Sequence, residues 1–174
     1  MCLRSLNLLE QTTGLCVKVV RTTDKPDEFR NQWALFSKNG SGGAGITQGR
    51  DYKKYNRSGV VYKIGRTYRV KHNRTARSEG MSLAYPALVH CYKTFARAEE
   101  DMGVKVKGND YVYLICKYSG GQYHDTASLT AKYVTPLFAL THKTAQAFKL
   151  LAYEHGFEKA VSIVNLAKDI FKGE

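Results

Sequence analysis

Residues 50–77 hold ten of the chain's 27 Lys and Arg residues and a single acid, Asp51. Arg50, Lys53, Lys54, Arg57, Lys63, Arg66, Arg69, Lys71, Arg74 and Arg77 give this stretch +9 of a formal net charge of +12. A local basic field draws a localised polyanion, whereas an even excess of cations mainly aids solubility. Tyr52, Tyr55, Tyr62 and Tyr68 lie among the cations. Cations beside flat aromatic faces suit a phosphate backbone with stackable bases, and Tyr52 or Tyr55 is the expected stacking residue. The chemistry read from this segment is nucleic-acid binding, mainly through phosphates. An acidic protein surface would meet the same charges, and plain solvation of a charged strand face is the competing explanation.

Groups able to do covalent or proton-transfer chemistry are sparse. His90 and Cys91 are adjacent, so on a strand they face opposite ways and cannot act as a pair. His124 sits beside Asp125 in the polar segment GGQYHDT. A loop His and Asp can serve acid/base chemistry, and His124 can approach His90 in space; a hydrogen-bonded structural histidine is the alternative. Trimming of Met1 would leave Cys2 as an N-terminal nucleophile whose own α-amino group serves as base. The following Leu3-Arg4 lacks the glycine-rich entry often seen in such enzymes. Arg77-Ser78-Glu79 has the letters of an ADP-ribosyltransferase set, but contiguously, where that chemistry needs separate strands. His72-Asn73-Arg74 lacks the metal-ligating remainder of a nuclease motif. No His/Cys/Asp cluster has zinc spacing, so no metal or cofactor is expected and no catalytic residue is assigned.

The elements that must carry these groups follow from periodicity. Residues 15–20 read as a buried strand and 24–28, with Pro26, as a turn or loop. The run NGSGGAG at 39–45 lacks the Lys and Ser/Thr of a P-loop and reads as a loop. Across 60–71, Val60, Tyr62, Ile64, Tyr68 and Val70 alternate with Lys63, Arg69 and Lys71, which predicts a core face and a basic face. Gly65 offers an alternative, a turn that folds the same charges onto adjacent strands. Residues 88–93 predict a short strand. Thr94 caps a helix over 95–102, ended by Gly103. Residues 111–118 are apolar on both faces, as in a central strand. Residues 132–140 predict a last strand, with Pro136 near its end or at a bulge.

Thr141 caps a helix with Phe148, Leu151, Ala152 and His155 on one stripe, and Gly156 ends it. Ala160, Ile163, Val164, Ala167 and Phe171 form the stripe of a second helix. The two make an αα-hairpin expected to pack on the sheet. The fold class is α+β: a mostly antiparallel sheet of about four to six strands, a short helix and the C-terminal hairpin, in one domain over 1–174.

Met1-Cys2-Leu3, then Tyr62-Lys63-Ile64-Gly65-Arg66-Thr67-Tyr68, then the segment 89–98 beginning Val89-His90-Cys91-Tyr92-Lys93 occur in that order. This order resembles small proteins of phages and prophages that begin MCL and carry a Y-x-x-G-x-x-Y and an aromatic-His-x-aromatic-Lys segment. The resemblance spans about the first hundred residues. Those proteins usually have Gly and an aromatic before the His, where this chain has Leu88-Val89, and the C-terminal helices are an addition. The resemblance implies a phage origin and a small α+β domain, and carries no activity. It makes the other expected role docking on a host or virion protein without catalysis.

Composition bounds the rest. A hydrophobic fraction of 43% and three prolines oppose disorder. MCLRSLNLLE has no long apolar run, and nothing approaches the ~18 apolar residues of a membrane helix. A cytoplasmic protein without membrane partners is expected, in the host cytoplasm or virion if phage-encoded. Cys16, Cys91 and Cys116 lie in apolar strand-like runs without CxxC, which predicts reduced core thiols.

Overall fold

The computed structural model describes residues 3, 5, 7–31, 61–69, 75–77, 84–86 and 88–172. The glycine-rich run at 39–45 lies outside them. Ten strands are described: β1 (Asn7–Leu8), β2 (Thr13–Thr22), β3 (Glu28–Asn31), β4 (Val61–Lys63), β5 (Tyr68–Arg69), β6 (Thr75–Arg77), β7 (Ala84–Pro86), β8 (Val89–Tyr92), β9 (Tyr111–His124) and β10 (Ser128–Leu140). Helix α1 spans Phe95–Lys107, α2 His142–His155 and α3 Phe157–Lys172. The α+β class and the closing helix pair agree with expectation. The main sheet has eight strands rather than four to six, because β1, β3 and β5 are too short to show a period of their own.

Every pairing is antiparallel among the described residues, and the pairings close on themselves. β2 pairs with β9, β9 with β10, β10 with β8, and β8 returns to β2 through Val17 and Tyr92. A second path runs from β2 through β3 to β4, while β5 pairs with β10. Closure of this kind encloses an interior. That interior is one core, holding Cys16, Val20, Phe29, Tyr62, Leu114, Cys116 and Val134. A second core lies outside the sheet under the helices, with Val17, Val19, Tyr113, Ile115, Phe138 and Phe148. The two cores explain the continuous apolar run of β9: Val112, Leu114 and Cys116 face inward, and Tyr113 and Ile115 face the helices.

Residues 61–69, the described part of 60–71, do not form one extended strand. Gly65, at φ +78°, turns the chain between β4 and β5, because a left-handed backbone costs glycine least, but the two strands pair with β3 and β10 and not with each other as a hairpin would. The Gly65 N–H donates to the Pro136 carbonyl at 2.8 Å, which pins this turn onto β10. The ladder of β9 and β10 shifts register between Pro136 and Phe138. This bulge reverses the parity of β10. Val134 points into the barrel, whereas Phe138 and Leu140 point to the helices.

Helix α1 runs through Gly103 to Lys107 and stops at Gly108, beyond the expected end. Phe95, Ala98, Met102 and Val106 are all buried on one stripe, and that burial outweighs the ~1 kcal/mol helix penalty of one glycine. Thr94 caps α1 by accepting from Arg97 N. Thr141 and Thr144 form a reciprocal capping box on α2. Glu28, expected in the loop after Pro26, opens β3 instead.

The α2–α3 hairpin packs on the sheet as expected, through Phe148, whose ring meets Phe95, Phe138 and Phe157. The second stripe is only partly covered. Ala160 is buried and Val164 packs on the core, but Phe171 is 71% exposed. No described helix is long and apolar enough to cross a membrane.

Phe148→Ala is expected to cost about 3–5 kcal/mol of stability. Phe171→Ala, on the same hairpin, should stay within about 0.5 kcal/mol. Denaturant unfolding of both variants measures the contrast. Equal losses would mean that the α3 terminus is packed.

Candidate nucleic-acid interface

Of the expected basic set, Arg50, Tyr52, Lys53, Lys54, Tyr55, Arg57, Lys71 and Arg74 lie outside the described residues, as does Cys2. Arg77 ends β6, of which the backbone alone is described. Lys63, Arg66 and Arg69 are described, and they differ. The Lys63 ammonium sits 2.6 Å from a Glu28 carboxylate oxygen. This contact raises the Lys63 pKa and lowers that of Glu28, so the charge of Lys63 is matched within the fold. Arg66 lies over the Tyr68 ring, 5.8 Å from its centroid. Arg69 is exposed, and among the described residues no ion pair holds it.

Tyr62 and Tyr68 are not stacking platforms. Tyr62 is fully buried, and Tyr68 packs edge-on against it with centroids 4.9 Å apart. The Tyr68 hydroxyl accepts from Lys63 N at 3.0 Å. Both rings belong to the barrel interior, where alternation along β4 and β5 places them.

The exposed aromatic comes from a distant strand. Tyr133 on β10 is directly opposite Arg69 on β5 and, across β9, opposite Ser119. Its neighbour Val134 pairs with Tyr68 inside, so Tyr133 and Arg69 point outward, and Tyr133 is 40% exposed. In the next outward row, Lys117 on β9 faces Thr135 on β10, whose hydroxyl lies 2.8 Å from that of Thr67. Lys132, next to Tyr133 in sequence, is also exposed. β2, β5, β9 and β10 contain no Asp or Glu.

The helix layer bounds this face. One row further along, Val17, Ile115 and Phe138 are under the helices. The Lys168 ammonium on α3 donates to the Leu137 carbonyl at 3.3 Å and marks the border. Sequence reading missed Tyr133, Lys117 and Lys132. The available signal was the change from apolar to polar at outward positions, Ile115 to Lys117 and Phe138 to Thr135.

The acid/base candidates do not assemble. Thr130 of β10 pairs with His90 on one side and Tyr123 on the other, so β10 separates His90 from His124. A full strand between them puts them roughly 10 Å apart. His90 and Cys91 do face opposite sides, and His90 is buried. Burial, with Lys18 adding to it, pushes the His90 pKa down from 6.5 to about 3. His124 Nδ1 lies 3.1 Å from the Lys93 ammonium. The Asp125 carboxylate accepts from Ala127 N and Ser128 N, which closes the turn between β9 and β10 instead of orienting His124.

Lys18 is a second feature missed from sequence. It lies inside the barrel, 6% exposed, and its ammonium donates to the His90 carbonyl at 2.5 Å. The ammonium is also 5.4 Å from the Tyr62 ring centroid. Burial opposes the charge, but attraction to the acidic Tyr62 hydroxyl and to the thiols outweighs it, and the net shift is upward. Burial raises the Tyr62 pKa to about 12, and it also raises Cys16 and Cys91. Cys16, Cys91 and Cys116 are free, buried thiols. No metal-binding group of three or more His, Cys, Asp or Glu occurs among the described residues.

No protein-family model, no curated protein and no solved structure matches this chain.

Because the folded pKa of His90 lies below its unfolded value, the unfolded chain binds the extra proton between pH 6.5 and about 3. Stability should therefore fall as pH drops through that window, by up to ~1.4 kcal/mol per pH unit from this group. His90→Gln should flatten that part of the stability–pH curve measured by urea unfolding. The three buried thiols should react with a thiol reagent only when the protein unfolds; fast reaction of native protein would show that the barrel opens.

Proposed function

We propose that this chain is a phage-type accessory protein that binds nucleic acid, mainly through phosphates, with its outward β5–β10–β9 face and the basic segment 50–77. The observation that carries the reading is Arg69 directly opposite exposed Tyr133, with Lys117 diagonal to it, on strands free of acids. Such a surface attracts a polyanion and offers it an aromatic contact. It needs no cofactor and no catalytic group. Host cytoplasm or virion is the compartment that fits.

A second reading is docking on a host or virion protein without catalysis. Leu150, Tyr153, Leu166, Ile170 and Phe171 on α2 and α3 are largely exposed, and large apolar side chains left at a surface suit a protein contact. In that case the basic segment would face an acidic protein surface.

Salt dependence of binding tests the first reading. Contact with about four to six phosphates gives a slope of log K against log salt of about −3 to −5. Arg69→Ala, Lys117→Ala and Lys132→Ala together should flatten the slope by about 2–3 and weaken binding to all sequences alike. Lys143→Ala with Lys159→Ala, on the helices, should change it little. Equal losses in both sets would reduce the basic residues to bulk charge. Absence of DNA and RNA binding at ~50 mM salt would leave the protein-docking reading.

A further inference from the structure

We infer that the β5–β10–β9 face is built for single-stranded nucleic acid, with an unpaired base stacked on Tyr133. This deepens the nucleic-acid reading above and rests on it. Three observations carry it.

The first is the position of the ring. Tyr133 projects from the middle of a β-row, between the long side chain of Arg69 and the short one of Ser119. Directly opposed residues on adjacent strands have Cβ atoms about 5 Å apart. The ring therefore has a cation on one side and the short side chain of Ser119 on the other. The second is the spacing of charge. Lys117 is diagonal to Tyr133, at about 7–8 Å between Cβ atoms, and Arg69 is directly opposite. Cations at that distance can hold the backbone on either side of a stacked nucleotide.

The third is shape. The face is a sheet surface on which Thr13, Ser119, Thr135 and Thr67 are short, and only Tyr133 and the cations Arg69 and Lys117 are long. A duplex keeps its base faces stacked inside and offers such a surface only phosphates. A single strand presents base faces, and stacking on an aromatic ring tolerates any base. Charge alone would favour the duplex, which has the denser phosphate array and the steeper salt response. Preference for single strands thus separates stacking from bulk electrostatics.

The test is fluorescence anisotropy with 20-nucleotide oligo-dT, oligo-U, an abasic strand of the same length and a 20-base-pair duplex. Wild type should bind oligo-dT and oligo-U more tightly than the duplex, and unequal affinity for the two would identify DNA or RNA as the preferred ligand. Tyr133→Ala should weaken binding to the base-bearing strands by roughly ten-fold and leave the abasic strand unchanged. Tyr133→Phe and Tyr133→Trp, which keep a ring, should retain wild-type affinity, and this guards against a folding defect in the alanine variant.

The proposal is overturned if Tyr133→Ala matches wild type on oligo-dT and oligo-U. It is also overturned if the variant loses equally on the abasic strand, or if wild type prefers the duplex. In those cases a salt slope that still responds to Arg69→Ala would leave the nucleic-acid reading standing. Failure of wild type to bind any of the four probes would overturn both.

Discussion

The register of the long β9–β10 hairpin is the constraint on which the rest of this structure depends. β1 and β2 build along one edge of β9, and β8 and β5 along the free edge of β10. The hairpin turn is held by the Asp125 carboxylate, which accepts two backbone N–H groups. A one-residue slip in that ladder would exchange inward and outward side chains over most of the sheet. Two register shifts interrupt the ladder, between Thr130 and Ala131 and between Pro136 and Phe138, and the second hands β10 from the barrel interior to the helix layer. Proline suits that position because a bulge leaves an N–H without a ladder partner.

Two cores result, and they differ in chemistry. The helix-side core is aromatic and aliphatic, with the Phe148 ring against both Phe95 and Phe138. The interior core surrounds a charge. Lys18 reaches the His90 carbonyl and lies over Tyr62, with thiols nearby. A buried cation is tolerated only where hydrogen bonds and polarisable neighbours replace water. Lys18 therefore ties β2 to β8 and Tyr62, three parts of the chain far apart in sequence. Burial raises the Cys16 and Cys91 thiols inside the barrel and lowers His90 on the opposite side of β8, so the groups that looked chemically promising serve the fold.

The polar face exists because the helix layer stops short. Outward positions on β2, β9 and β10 are apolar wherever α1, α2 and α3 cover them and polar beyond that border. Arg69 and Tyr133 meet there as cross-strand partners. Lys63, which the alternation of residues 60–71 assigns to the same basic side, is instead held by Glu28 from β3. Surface charge in this protein is thus sorted by strand pairing into matched and available groups.

Sequence alone determined what local physics governs. The caps at Thr94 and Thr141, the turn option at Gly65, the two-faced apolar run of β9 and the exchange point at Pro136 were all readable. Each depends on backbone preference or on periodicity within a few residues. The concentration of cations in 50–77 was equally plain. Short strands such as β3 and β5 were not legible, since two to four residues carry no period. Nor was the composition of the site. Tyr62 and Tyr68 stood among cations in sequence and went to the core, while Tyr133, outside that segment, came to stand opposite Arg69. Only tertiary structure decided this, because cross-strand neighbours are set by register between distant segments, and period two states which side a residue faces without stating whom it meets.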